Sequence, residues 1–247
     1  MLPSDLETLR AELVDATPEA LLSWSVRRFP GQVVLATSLG EEDQVLLDLA
    51  ARGDLLPPKG DLGVFTLDTG RLFPETLDLL AETERRYSVR VRVLSPDTAE
   101  LEALVADGGI NLFRDSVEAR HRCCAVRKLT PLKRALSGAR LWITGLRHAQ
   151  STHRSALDVL SWDETHGLLK LCPLLDWSDE ALHTYVEAHH VPTNPLHARG
   201  YTSIGCAPCT RPVAPGDDPR SGRWWWEQDT HRECGLHFVN GQLVRSS

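Results

Sequence analysis

Six cysteines carry most of the chemical potential of this 247-residue chain, and their spacing sorts them into groups. Cys123 and Cys124 are adjacent, and Cys206-Ala207-Pro208-Cys209 is a CxxC in a Gly- and Pro-rich stretch. Four thiolates in two close pairs suit tetrahedral Zn²⁺ or an iron–sulfur cluster, with a redox CxxC disulfide as a third use. Structural zinc usually takes two CxxC knuckles, in which directly adjacent cysteines are awkward. That asymmetry favours a [4Fe–4S] cluster. An isolated Cys-Cys would read as two buried hydrophobes, and the presence of the CxxC reverses that reading. Cys172 lies in the apolar run Leu168–Leu174 and reads as packing. Cys234, in Glu233-Cys234-Gly235-Leu236-His237, has His231, Arg232 and His237 nearby. Cationic neighbours can depress a thiol from about 8.5 and make it a nucleophile. Taken locally, an incidental surface cysteine remains open there.

Two further stretches suit an anion. Ser38-Leu39-Gly40-Glu41-Glu42-Asp43 stands between a strand pattern and a helix pattern. A small residue and a glycine let backbone N–H groups meet a phosphate at a helix N-terminus. The loop is no Walker A, because Gly-Lys-Ser/Thr is missing. Arg220 and Arg223 stand three apart in a Gly/Pro loop, a spacing that can fork onto phosphate or sulfate. Trp224-Trp225-Trp226 follows directly and argues against bland solvated surface, since three large aromatics are costly to expose together. The tryptophans themselves read as packing.

The positioning elements follow from hydrophobic period. Ser4 and Glu7 make a capping-box pattern for a helix to about Asp15, and Thr17-Pro18-Glu19 starts a second. Strand patterns at Val33–Thr37, Gly63–Leu67, Val89–Leu94 and Leu141–Thr144 alternate with helix patterns at Glu41–Ala51, Pro74–Arg86, Thr98–Ala106 and Ser116–Leu129. Ser178 caps a helix to about His190. Alternation of this kind predicts a doubly wound α/β domain with a mostly parallel sheet, whose ligands sit beyond the carboxyl ends of the strands. Ser38–Asp43, Asp68–Arg71 and Gly145–Arg147 then share one crevice. The division expected is a nucleotide- and cluster-binding domain at 1–211 and a mobile, irregular segment at 212–247 packed against it.

The formal net charge of −7 gives no global support to a nucleic-acid or anionic-membrane partner. MLPSDLETLR has neither the basic start nor the apolar run of a signal peptide, and no stretch approaches the roughly 20 apolar residues of a membrane span. A soluble, cytoplasmic protein is expected, where cysteines serve as ligands or catalysts more often than as structural disulfides.

Taken in order, the motifs resemble the assimilatory phosphoadenylyl/adenylyl-sulfate reductases. They are Ser38–Asp43, Leu67–Thr76, Cys123-Cys124 with Arg127-Lys128, Trp142–Gly145, Asn194–His197 with Gly200-Tyr201, Ile204–Thr210, Gly222–Glu227 and Glu233–His237. The resemblance implies an adenine-nucleotide-hydrolase-like fold, with an ATP pyrophosphatase-type phosphate loop. It implies reduction of adenosine 5′-phosphosulfate to sulfite and AMP in sulfate assimilation, with thioredoxin as electron donor. The pair and CxxC together resemble the cluster-bearing branch, as does Arg71. Carried over, Cys123, Cys124, Cys206 and Cys209 would hold a [4Fe–4S] cluster, and Cys234 would be the nucleophile, forming an S-sulfonate. Lys128, Arg220, Arg223 and His237, with the amides around Ser38 and Gly40 and the adjoining Leu39, would hold the phosphosulfate. Leu67 and Gly145 would lie against the nucleoside. Arg147-His148-Ala149-Gln150 departs from the family pattern, so His148 receives no role, and Cys172 is extra, with a resolving cysteine as the alternative to packing. Competing expectations are a 3′-phosphoadenosine 5′-phosphosulfate reductase, an ATP pyrophosphatase-type sulfurtransferase, and a zinc-stabilised binding module. The oligomeric state stays open, a homo-oligomer included.

Overall fold

Residues 4–150 and 157–227 are described by the computed structural model. Its centre is a six-stranded sheet of β1 (Val33–Ala36), β2 (Gly63–Leu67), β3 (Arg92–Leu94), β4 (Leu141–Ile143), β5 (Leu160–Asp163) and β6 (Leu168–Leu171), in the order β3-β2-β1-β4-β6-β5. All neighbours pair in parallel except β5, which runs antiparallel to β6 at the edge. The β-branched, apolar make-up of β1 suits a strand covered on both faces, and Val33 and Leu35 are buried. The chain winds outward from β1 to β3, then returns to β4 on the other side of β1. The reversal makes a switch point between β1 and β4, whose carboxyl ends open side by side.

Helices α1 (Ser4–Ala11), α2 (Pro18–Arg28), α3 (Glu41–Arg52), α4 (Pro74–Tyr87), α5 (Thr98–Gly108), α6 (Val117–Cys124), α7 (Thr130–Leu136) and α8 (Asp179–His189) cover the sheet. Caps set several starts: Thr17 Oγ1 accepts the Ala20 N–H at 3.3 Å, and Ser178 Oγ accepts that of Ala181 at 3.1 Å. Helix α3 is buried along most of its length, with Val45, Leu46, Leu47 and Ala50 in the main core beside Leu35, Leu141 and Leu171.

Three expectations change. The strand expected at Val89–Leu94 pairs only over Arg92–Leu94, although Val89 and Val91 still point into the core. Strand β5 went unread, because an edge strand buried mainly at Leu160 carries little apolar pattern. The helix expected across Ser116–Leu129 breaks after the cysteine pair into a π-helical turn, Ala125–Leu129, where the Thr130 N–H bonds the Ala125 carbonyl. One extra residue per turn is a common device at functional sites.

Residues 212–227 pack against the α/β unit. The Arg211 N–H bonds the Gly222 carbonyl, the Val213 N–H bonds that of Gly200, and Trp224 is buried with Leu104, Leu112 and Phe113. Among the described residues no helix is long and apolar enough to cross a membrane.

Candidate active site and cysteine centre

At the switch point the loop after β1 closes on itself. The Ser38 N–H and Oγ both donate to Asp43 Oδ2, at 2.7 and 2.8 Å, and the Leu39 N–H donates to Thr37 Oγ1 at 3.0 Å. Leu39 is buried with φ 63°, a left-handed conformation uncommon for a non-glycine residue and typical of loops that gather N–H groups. Gly40 then caps α3, whose first turn holds Glu41, Glu42 and Asp43. The Ser38 amide, expected to meet a phosphate, is thus engaged by an internal carboxylate. Asp43 is buried, and desolvation outweighs these hydrogen bonds to push its carboxyl up to about 6.

The loop after β4 meets this one at close range. A Cβ on Gly145 would stand 2.6 Å from Asp43 Oδ1 and 2.7 Å from Glu42 Cβ, so only glycine fits. Gly145→Ala should force the loops apart, weakening nucleotide binding at least tenfold and lowering stability by about 1–3 kcal/mol as an overpacking change. Equilibrium binding and a denaturant melt check both. Beyond Gly145, buried Arg147 donates to Glu42 Oε1 at 2.8 and 3.0 Å and to Asp179 at 2.7 Å, and Gln150 adds a bond to Glu42 at 2.8 Å. Arg147 and Gln150 were named in the sequence, Arg147 as part of the crevice and both as a departure from the family pattern, but neither was given a partner. Their one signal was position, directly after a strand that ends at the crevice. Leu67, at the carboxyl end of β2, is half-buried against the cluster of Phe65 and Trp142.

From the end of β2 the site continues into the cysteines. Thr69 Oγ1 lies 3.2 Å from Cys206 Sγ, the Ala207 N–H bonds the Arg71 carbonyl at 2.8 Å, and Arg127 Nη1 donates to the Thr69 carbonyl at 2.6 Å. Cys123, Cys124, Cys206 and Cys209 are all buried free thiols. Cys123 feels Cys206, while Cys209 feels Cys206 and Cys124, so the two pairs lie within electrostatic reach of each other. Burial pushes the Cys123 thiol up, and burial with the neighbouring sulfurs pushes Cys209 to about 12. Burial also acts on Cys206, but Lys128, the Thr69 hydroxyl, Arg223 and Arg127 outweigh it and bring that thiol below its ordinary value. Cys206 thus loses its proton more easily than an ordinary thiol, while Cys123 and Cys209 resist added negative charge.

This donor set fits a [4Fe–4S] cluster. Soft thiolates suit iron–sulfur ligation, metal charge would relieve the resistance to ionisation, and cationic side chains surround the sulfurs. The buried Arg127 Nε and Trp224 Nε1 have no hydrogen-bond partner among the described residues, and such N–H groups suit cluster sulfur. Among the described residues no group of three or more His, Cys, Asp or Glu is arranged to hold a metal ion, so the fit rests on this donor chemistry.

Arg223 is buried, its guanidinium 4.7 Å from the Trp224 ring centre and against Gly205, where a Cβ would stand 2.3 Å from Nη2. It therefore faces the cysteines. Arg220 sits on a turn whose carbonyl accepts the Arg223 N–H at 2.9 Å. Arg120 stacks on Trp224, 4.5 Å from its centre, and grips Glu227 bidentately at 2.6 and 3.0 Å. Neither Arg120 nor Glu227 was singled out in the sequence, because 107 residues separate them. Asn194 donates to Thr76 Oγ1 at 3.0 Å and Tyr201 meets Phe73 edge-on, so that motif braces the start of α4. Cys172 is buried with Leu146 and Leu175, as packing requires. Cys234 and His237 lie outside the described residues. A separate cleft of about 240 Å³, lined by Glu19, Arg52, Tyr185 and His189 among others, sits at the far end of α3 from the phosphate loop.

Comparison with known proteins agrees with this geometry. Residues 32–212 match the model of the phosphoadenosine phosphosulfate reductase domain. The chain is 47% identical over 239 residues to an adenosine 5′-phosphosulfate reductase of Agrobacterium fabrum, covering 97% of this chain and 90% of the relative. It is 50% identical over 205 residues to an Allochromatium vinosum protein of the same name, covering 83% and 78%. A crystal structure of phosphoadenylyl-sulfate reductase from Candida auris, in complex with phosphate, superimposes with a TM-score of 0.72 at 27% identity, covering 85% of this chain and 98% of that one.

Proposed function

Since the chain belongs to the phosphoadenosine phosphosulfate reductase family, we propose that it reduces adenosine 5′-phosphosulfate to sulfite and AMP in sulfate assimilation. The observation that carries the reading is the junction at the end of β2, where Thr69 and Arg71 join the nucleotide crevice to four buried thiols. Relatives about half identical over most of the chain favour the nucleotide without a 3′-phosphate.

In the proposed reaction the Cys234 thiolate attacks the sulfate sulfur, and the bond from sulfur to the bridging oxygen breaks. AMP leaves with that oxygen, and a Cys234 S-sulfonate remains. A thiolate of thioredoxin attacks the Cys234 sulfur, sulfite departs with the S–S bonding pair, and a mixed disulfide forms. The second thiol of thioredoxin then resolves it, so the partner is oxidised to a disulfide and Cys234 returns as thiol. Cys123, Cys124, Cys206 and Cys209 would hold a [4Fe–4S] cluster, which supplies structure and local electrostatics. Lys128 and Arg223, whose charges act on Cys206 and Cys209, would also face the substrate anion, with Arg220 and His237 completing the set. Leu67, Leu39 and Gly145 would border the nucleoside and phosphate.

Of the segment 212–247, the contacts at Trp224 and Glu227 would be the anchor and the stretch beyond Glu227 the moving part. Cys234 lies seven residues past Glu227, a span of up to about 25 Å when extended. A cytoplasmic setting fits the thiol chemistry.

Protein purified anaerobically should contain about four iron and four sulfide per chain, as the cluster type requires. It should convert adenosine 5′-phosphosulfate to sulfite with thioredoxin at a kcat/KM well above that for the 3′-phosphorylated nucleotide. Preference for the latter would move the protein to the other branch. Pyrophosphate release from ATP in place of sulfite would make it a pyrophosphatase-type enzyme.

A further inference from the structure

We propose that Asp43 is a positioning residue whose ionised carboxylate acts as an internal anion, tying the phosphate loop to the loop after β4 before substrate arrives. This rests on the functional reading above and adds a pH-dependent device to the same site. Two donors converge on one buried carboxylate, the Ser38 N–H and the Ser38 hydroxyl at 2.7 and 2.8 Å from Oδ2, and its Oδ1 lies against Gly145. Both donors come from the loop after β1, and a Cβ on Gly145 in the loop after β4 would stand 2.6 Å from Oδ1, so the carboxylate sits between the two strand ends that flank the switch point. Gly145 carries no side chain at the contact, which is what lets the loops approach. With Ser38 held, the chain turns through Leu39 in its left-handed conformation and presents Gly40 at the start of α3.

Among the described residues Asp43 has no cationic partner of its own. Glu41 and Glu42 precede it on α3; Glu42 raises its pKa, and Arg147, from the β4 loop, is taken up by Glu42 and by Asp179 of α8. His183 of α8 reaches Glu41 at 3.4 Å. Helix α4 meets α3 here through uncharged Thr83, which accepts from Gln44. Hydrogen-bond donors are therefore what stabilise the ionised form, and by linkage the ionised form is what holds the donors most firmly.

The direction follows. Burial lifts the group from 3.8 to about 6, so near neutral pH it is ionised and grips the loops, and below about 6 it protonates and the grip weakens. Global stability runs the opposite way. A carboxyl whose folded pKa is raised contributes stability that is full below its unfolded value and is lost as pH rises to about 6. Asp43→Asn should therefore melt no lower than the parent protein at pH 7.5, which separates loop effects from misfolding.

Two measurements on the full-length protein test this. Hydrogen exchange of peptides covering Ser38 and Gly145, corrected for intrinsic rates, should show protection at pH 7.5 that falls below pH 6. In Asp43→Asn it should be low at both. The KM for adenosine 5′-phosphosulfate should rise as pH drops below about 6. Asp43→Asn should flatten that limb and raise KM at pH 7.5 by roughly ten- to hundredfold, with a smaller change in kcat. Unchanged exchange in the variant overturns the proposal. So does a KM that is unaltered or lower at pH 7.5, or an acid limb that survives the substitution. If the parent protein makes no sulfite from the nucleotide at any pH, the functional reading fails, and the exchange data still decide whether Asp43 holds the loops.

Discussion

Cys234→Ser is expected to abolish sulfite formation, by at least about 10⁴-fold, while iron content and absorbance near about 400 nm stay those of the parent protein. A serine hydroxyl is a far weaker nucleophile than a thiolate near neutral pH, so the variant loses the acceptor for the sulfonate. The described cysteines offer no substitute. Cys123, Cys124, Cys206 and Cys209 are buried in the proposed cluster site, and Cys172 is 1% exposed among leucines. Mass spectrometry after incubation with nucleotide alone should find an added sulfonate in the parent protein and none in the variant. Cys172→Ser is the companion: retained turnover fits a packing residue. Sulfite production by Cys234→Ser would remove the nucleophile assignment and turn attention to the cysteine centre itself.

Glu227→Gln is expected to destabilise the protein by about 3–5 kcal/mol, because Arg120 is 1% exposed and would lose the carboxylate that neutralises it. For a chain of this length that is a fall in melting temperature of roughly 6–20 °C. Arg120 is also one of two guanidiniums enclosing Trp224, whose backbone is held at φ 43°, strained for a bulky residue. Loosening the ion pair should therefore release the indole as well, exposing the segment after Arg211 to proteolysis. A double substitution, Arg120→Leu with Glu227→Leu, should recover much of the stability, since removing both charges removes the buried imbalance. Differential scanning calorimetry and limited proteolysis read both effects. A Glu227→Gln variant that melts with the parent protein would mean that the pair contributes nothing to holding the segment.

Much of the framework was legible in the residues. Each strand flanking the crevice is a short apolar run, and each is followed by a Gly-containing break. The rule for doubly wound sheets then places Ser38–Asp43, Asp68–Arg71 and Gly145–Arg147 together. The two cysteine pairs were legible for a similar reason: adjacency and CxxC spacing are local, and so is the preference of grouped thiols for soft metals.

Partner choice was decided only by the tertiary structure. Arg220 and Arg223 look equivalent in the chain, yet Arg223 is buried over Trp224 against Gly205 while Arg220 sits on the preceding turn. Ser38 has the look of a free phosphate donor, yet an aspartate five residues on occupies it. Arg120 carries no mark distinguishing it from the other charged residues that make up a quarter of the chain, and Glu227 closes a motif that does not say what it pairs with. The physical reason is common to all three. Hydrophobic period and motif spacing report on neighbours along the chain. A buried charge, in contrast, is defined by whichever group meets it once the loops are closed, because desolvation makes an opposite partner or a set of hydrogen bonds obligatory there.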